Sequence, residues 1–123
     1  MNWRLNKNMS QILQKKIKKN KPYLIAEIGV NHENSISLAE RIIKQAKKGG
    51  ADAVKFQIYK AEKIASYKSP YYWDLKKNSE KSQYKLFKRY DKFNNKEYLI
   101  LKKICQNYKI DFLATPFDLD AVE

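Results

Sequence analysis

Cysteine is almost missing from this chain. Cys105 is the only one, so there is no internal disulfide framework, and a reducing, cytoplasmic compartment is expected. Glycine and proline number three each; they form no glycine-rich phosphate loop, and there is no CxxC pair and no internal repeat. No apolar run approaches the roughly 18 residues of a membrane span, and no apolar core marks a secretory signal near Met1. Acidic residues are also scarce, 13 against 26 basic ones, for a formal net charge of +13. Such an excess suits nucleic acid, a membrane surface or anionic substrates. It also accompanies the joint abundance of Lys, Asn, Ile and Tyr that an AT-rich coding sequence favours.

With 123 residues and 43% hydrophobic content, the chain has enough material for one small domain. Residues 1–21 hold seven basic side chains and no acidic one, with a weak helical stripe at Ile12, Leu13 and Ile17. They are read as a solvated, flexible basic leader, distinct from residues 22–123.

The stretch Ala53-Val54-Lys55-Phe56-Gln57 organises the rest. Side chains alternate along a strand, so Val54, Phe56 and Ile58 share one face and Ala53, Lys55 and Gln57 the other. A buried charge costs several kcal/mol unless paired. The Lys55 face therefore meets water, as on an edge strand, or something polar such as an anionic ligand. Upstream, the apolar run over 23–30, interrupted by Glu27, reads as a strand covered on both faces. After the polar loop Asn31-His32-Glu33-Asn34 comes a helix, with Ser37 and Glu40 as its capping box, an apolar face of Leu38, Ala39, Ile42, Ile43 and Ala46, and a stop at Gly49-Gly50. This makes one strand–helix–strand unit, which builds parallel sheets.

Residues 60–81 read as a long, largely irregular excursion carrying Tyr67, Tyr71, Tyr72 and Trp73. A short helix is expected over 83–90. A better-marked helix follows, with Asn94 as cap, Glu97 at the third position and Phe93 and Tyr98 as hydrophobic staple. Leu101, Ile104, Cys105 and Tyr108 give its buried face, so Cys105 reads as a small core residue rather than a nucleophile. A third strand spans 110–115, Pro116 stops it, and Asp118 reads as a helix cap rather than a catalyst. Each strand thus ends in polar residues: Glu27 with Asn31 and His32, Lys55 with Gln57, Thr115 with Asp118. In α/β sheets and barrels, sites lie at the C-terminal ends of strands.

Three motifs occur in order and at fitting spacing: Ala26-Glu27-Ile28-Gly29-Val30-Asn31-His32, Gly50-Ala51-Asp52-Ala53-Val54-Lys55-Phe56-Gln57, and Ala114-Thr115-Pro116-Phe117-Asp118. Together they resemble the N-terminal part of the sialic acid synthase family, over residues 22–123. The resemblance implies an α/β fold, the first three parallel strands of a (β/α)₈ barrel with their helices. A whole barrel takes about 250 residues. It implies condensation of phosphoenolpyruvate with N-acetylmannosamine or a related N-acyl amino sugar. Glu27 and Lys55 match catalytic positions, and Gln57 and Thr115 match residues lining the pocket. Asn31 and His32 match in type, with Asn31 placed among the substrate-binding residues. Asn78, through Asn78-Ser79-Glu80, is a looser match to an asparagine on the N-acyl sugar. The family also uses a divalent metal, manganese or magnesium, held by two histidines of later strands. This sequence has only His32, read as a loop hydrogen-bonder, so no metal ligand is expected here and the 123 residues alone are expected to be inactive. The complete enzyme is expected to be a homodimer with no nucleic-acid or membrane partner.

Other readings stay open: another phosphoenolpyruvate-condensing aldolase of the same barrel type, a non-catalytic fragment that works by assembly, or a basic binding module using the leader and the tyrosine-rich excursion on nucleic acid.

Overall fold

In a computed structural model that describes residues 10–122, the three apolar runs are strands: β1 (Ile25–Gly29), β2 (Ala53–Ile58) and β3 (Asp111–Pro116). They form one parallel sheet in the order β1-β2-β3. Two long helices, α2 (Ile36–Lys48) and α5 (Asn95–Asn107), pack on one face of it and against each other. The core between them holds Ile28, Val54 and Phe56 from the sheet, Ala39 and Ile43 from α2, and Leu101 and Cys105 from α5. Burial, with Asp111 adding to it, pushes the Cys105 thiol up to about 12. Cys105 is thus an inert packing residue.

The helix ends follow local chemistry. Asn94 and Glu97 form the expected capping box of α5, and Phe93 and Tyr98 meet edge-on with ring centroids 5.9 Å apart. For α2 the expected cap is displaced. Ser35, not Ser37, accepts the Leu38 N–H at 3.2 Å. Ser35 is the last residue with extended backbone, so its hydroxyl faces the free N–H groups; Ser37 already lies inside the first turn. Gly49 ends α2, and Gly50 takes φ +91°, a conformation that suits glycine.

The excursion is less irregular than the sequence suggested. It contains the short helix α3 (Ala61–Ile64) and an antiparallel bridge between Pro70 and Ser82, and it leads into α4 (Gln83–Tyr90), which has the expected bounds. Lys60 and Asp91 bind this region together. The Lys60 ammonium donates to the carbonyls of Asp91 (2.9 Å) and Phe93 (3.1 Å), while the Asp91 carboxylate accepts the Ala61 N–H at 2.9 Å.

Part of the stretch read as a flexible leader is a helix, α1 (Gln11–Lys18), capped by Ser10; residues 1–9 lie outside the described residues. It is fastened to the N-terminal ends of β2 and β3. Lys16 pairs with Asp52 at 2.9 Å, and Asp111 accepts hydrogen bonds from Ser10 and, at 2.5 Å, from Tyr23. Burial pushes the Asp52 carboxyl up, but the Leu24 N–H and Lys16 outweigh that and hold it below the usual carboxylate range. The sequence showed Ser10, Lys16 and Tyr23 but not their acidic partners Asp52 and Asp111, which lie far away along the chain. Among the described residues no helix is long and apolar enough to cross a membrane.

Candidate active site

Direct pairing across neighbouring strands puts side chains on one face of a sheet. The register pairs Glu27 with Lys55, Lys55 with Leu113, and Gln57 with Thr115. Glu27, Lys55, Gln57 and Thr115 therefore share the face turned away from α2 and α5, toward the C-terminal ends of the strands. On this face of β1, Ile25 and Glu27 are exposed. The expectation of a strand covered on both faces does not hold for β1 in the described residues.

Glu27 and Lys55 form an ion pair at 2.8 Å, with about half and a third of their side chains exposed. A pair so open to water contributes only about 0–1 kcal/mol. The fold does not depend on it, and Lys55 remains available to a stronger anion.

Immediately beyond Glu27 the β1–β2 ladder slips, so that Gly29 rather than Ile28 faces Phe56. Gly29 adopts φ +57°, the left-handed region that costs other residues about 1–2 kcal/mol. A Cβ there would lie 3.6 Å from the Gln57 amide and 3.7 Å from Glu27 Oε1. The bulge thus brings β1 backbone against both side chains.

The end of β2 is held from behind. The Tyr98 hydroxyl donates to the Gln57 carbonyl at 3.1 Å. The Phe117 N–H donates to Ile58 O at 3.0 Å, and Asp118 Oδ2 accepts the Lys60 N–H at 2.9 Å while Oδ1 takes the Ala121 N–H at 3.0 Å. Asp118 is thus the cap expected from the sequence, of a 3₁₀ turn (Leu119–Ala121), and also a clasp between β2 and β3. Tyr98 and Gly29 are supporting residues that the sequence reading did not single out for the site. A half-buried tyrosine tends to find a partner for its hydroxyl, which was a signal; the partner's identity was not.

The remaining candidates divide. Asn31 is exposed on the β1–α2 loop, its N–H bonded to Ile28 O at 3.0 Å. Asn78 is engaged inside its own loop, where Oδ1 accepts the Glu80 N–H at 3.1 Å. His32 is fully buried. Its Nδ1 accepts the Asn34 N–H at 3.1 Å, the loop role expected from the sequence. Among the described residues no group of three or more His, Cys, Asp or Glu side chains could hold a metal ion.

The chain is similar in sequence and in fold to known proteins. The model of the NeuB family matches residues 42–123. The chain is 40% identical over 108 residues to N,N'-diacetyllegionaminic acid synthase of Campylobacter jejuni, covering 84% of this chain and 31% of that protein. It is 38% identical over 104 residues to N-acetylneuraminate-9-phosphate synthase of Mus musculus, covering 82% and 28%. Its structure resembles that of N-acetylneuraminic acid (sialic acid) synthetase from Leptospira borgpetersenii serovar Hardjo-bovis in complex with citrate, with TM-score 0.62 and 34% identity over 84% of this chain and 32% of that one. The chain spans about a quarter to a third of the length of the curated relatives it matches.

Proposed function

The chain belongs to the NeuB family, and on that premise we propose that it carries part of the active site of a synthase joining phosphoenolpyruvate to an N-acyl amino sugar, with release of phosphate. One observation carries this reading: Glu27, Lys55, Gln57 and Thr115 share one sheet face beside the glycine bulge of β1. The Lys55 ammonium binds the polyanionic substrate and holds charge as it shifts during the reaction, strongly so once the rest of a barrel excludes water. Gln57 offers a donor and an acceptor and orients a carboxylate or sugar hydroxyls. The Thr115 hydroxyl lines the same pocket. Glu27, released from Lys55 by the incoming anion, stabilises a developing positive centre or moves a proton as the carbon–carbon bond forms. Asn31 and Asn78 supply contacts to the sugar. We place the reaction in the cytoplasm of a cell, in a homodimeric enzyme.

The family resemblance also implies a divalent metal. The described residues do not fit one: the single histidine is buried with Nδ1 already accepting a hydrogen bond. No step is therefore assigned to a metal on this chain.

A chimera tests the proposal. Residues 22–122 replace the matching segment of the Campylobacter relative, and phosphate release is followed with phosphoenolpyruvate and an N-acyl amino sugar in the presence of manganese. Turnover is expected, and Glu27→Gln should abolish it while leaving the melting temperature within a few degrees. A well-folded chimera without turnover, or full activity in the Glu27→Gln form, would refute the reading.

A further inference from the structure

His32 is the one histidine in the sequence and is used by none of the steps above. It sits where the β1–α2 loop meets the connection between α4 and α5. Its ring stacks on Phe93, with centroids 4.5 Å apart and planes 10° apart, and tilts against Phe56 at 5.9 Å. Nδ1 accepts the Asn34 N–H, so the ring proton is on Nε2, a buried atom with no hydrogen-bond partner. Asn34 completes a clamp. Its side chain donates to Arg89 O at 2.8 Å and accepts the Lys92 N–H at 3.1 Å. Glu33 and Asn34 are both held at positive φ, +48° and +59°, a strained pair that persists only where the surroundings impose it.

We infer that His32, as the neutral Nε2–H tautomer, is a positioning residue of the site: its stack on Phe93 and its bond to Asn34 fix the β1–α2 loop, and with it Asn31 and the Gly29 backbone that lies against Glu27. A second proton can enter only at Nδ1, where it meets the Asn34 N–H head-on and breaks the clamp. No charge on the packed elements compensates. Glu33 and Lys92 are exposed, Asp91 holds Ala61 and Lys88, Arg89 pairs with Glu80, and Lys55 of β2 pairs with Glu27. On α2, whose N-terminal end itself disfavours a nearby cation, Glu40 and Arg41 are exposed. Burial accordingly holds the imidazole below its ordinary value. The unfolded chain binds the proton more readily, so the loop is secure above about pH 6.5 and loosens as pH falls from there toward the lower folded value. The bearing on catalysis rests on the proposed function; the clamp itself does not.

The test uses the ¹⁵N-labelled 123-residue chain, in which a single imidazole gives an unambiguous spectrum. The expected result is an Nε2–H tautomer that titrates below about pH 6.5. The amides of Gly29, Asn31 and Asn34 should shift with the same midpoint, while those of Leu101 and Cys105 stay put. In His32→Phe, which keeps the stacking ring, that shared titration should vanish. An Nδ1–H tautomer, an imidazole that titrates without moving the loop amides, or loop amides that still titrate in His32→Phe would each overturn the inference. In the chimera described above, kcat should fall on the acid side with the His32 midpoint. An inactive chimera with the spectra as expected would count against the proposed function and leave the clamp standing.

Discussion

Replacing Lys55 by alanine in the chimera should lower kcat/KM for phosphoenolpyruvate by between about thirtyfold and several thousandfold, the equivalent of about 2–5 kcal/mol for a lost charge-assisted contact. The sugar's KM should change far less. The expectation follows from position: Lys55 is the cation of the shared polar face, and its present partner, Glu27 at 2.8 Å, is a half-exposed carboxylate that a bound polyanion outcompetes. Lys55→Arg should recover part of the loss, because charge is kept while the compact ammonium geometry is not. A cycle with Glu27→Gln separates the two roles. If Lys55→Ala leaves phosphoenolpyruvate kinetics intact, the lysine is only the structural partner of Glu27.

The largest effect on stability is expected at Phe56. It is fully buried and touches both halves of the core, stacking on Phe112 at 5.5 Å and meeting the His32 ring at 5.9 Å. Phe56→Ala should cost about 3–5 kcal/mol through lost transfer energy and an unfilled cavity. A domain this size has a total stability of roughly 6–18 kcal/mol. The melting temperature of the chain should therefore fall by at least about 10 °C. Urea titration of wild type and variant measures the loss; a change under about 1 kcal/mol would mean that the core closes around the gap or that Phe56 is less central than its packing indicates.

The parts of this fold that were legible in the sequence are those set locally. The alternation around Lys55, the capping box of Asn94 and Glu97, and the stop at Gly49-Gly50 are encoded within a few residues, and the structure contains them. The parallel order of the strands followed from their alternation with helices. The parts that were not legible depend on contacts distant in sequence. Ser10 and Lys16 looked like members of a solvated leader because Asp111 and Asp52 come much later in the chain. The gathering of Glu27, Lys55, Gln57 and Thr115 could be inferred from strand polarity. The bulge at Gly29 and the Tyr98 hydroxyl behind Gln57 could not, since nothing in a linear motif gives the register of one strand against the next.

The strand order also carries a consequence in time. Between β1 and β2 lies α2 alone, whereas between β2 and β3 lie the excursion with α3, the short helix α4 and the long helix α5. Closing the second connection, about twice as long, costs roughly 0.6 kcal/mol more in chain entropy, and its reward arrives only when Phe112 reaches Phe56. The first strand–helix–strand unit is therefore expected to assemble earlier, with β3 as the late partner, and pulse-labelled amide exchange during refolding would read that order. During that interval β2 has one open side. On a ribosome the same unit has all its residues by Ile58, long before β3 has been synthesised, so the nascent chain begins its sheet from the end that bears Glu27 and Lys55.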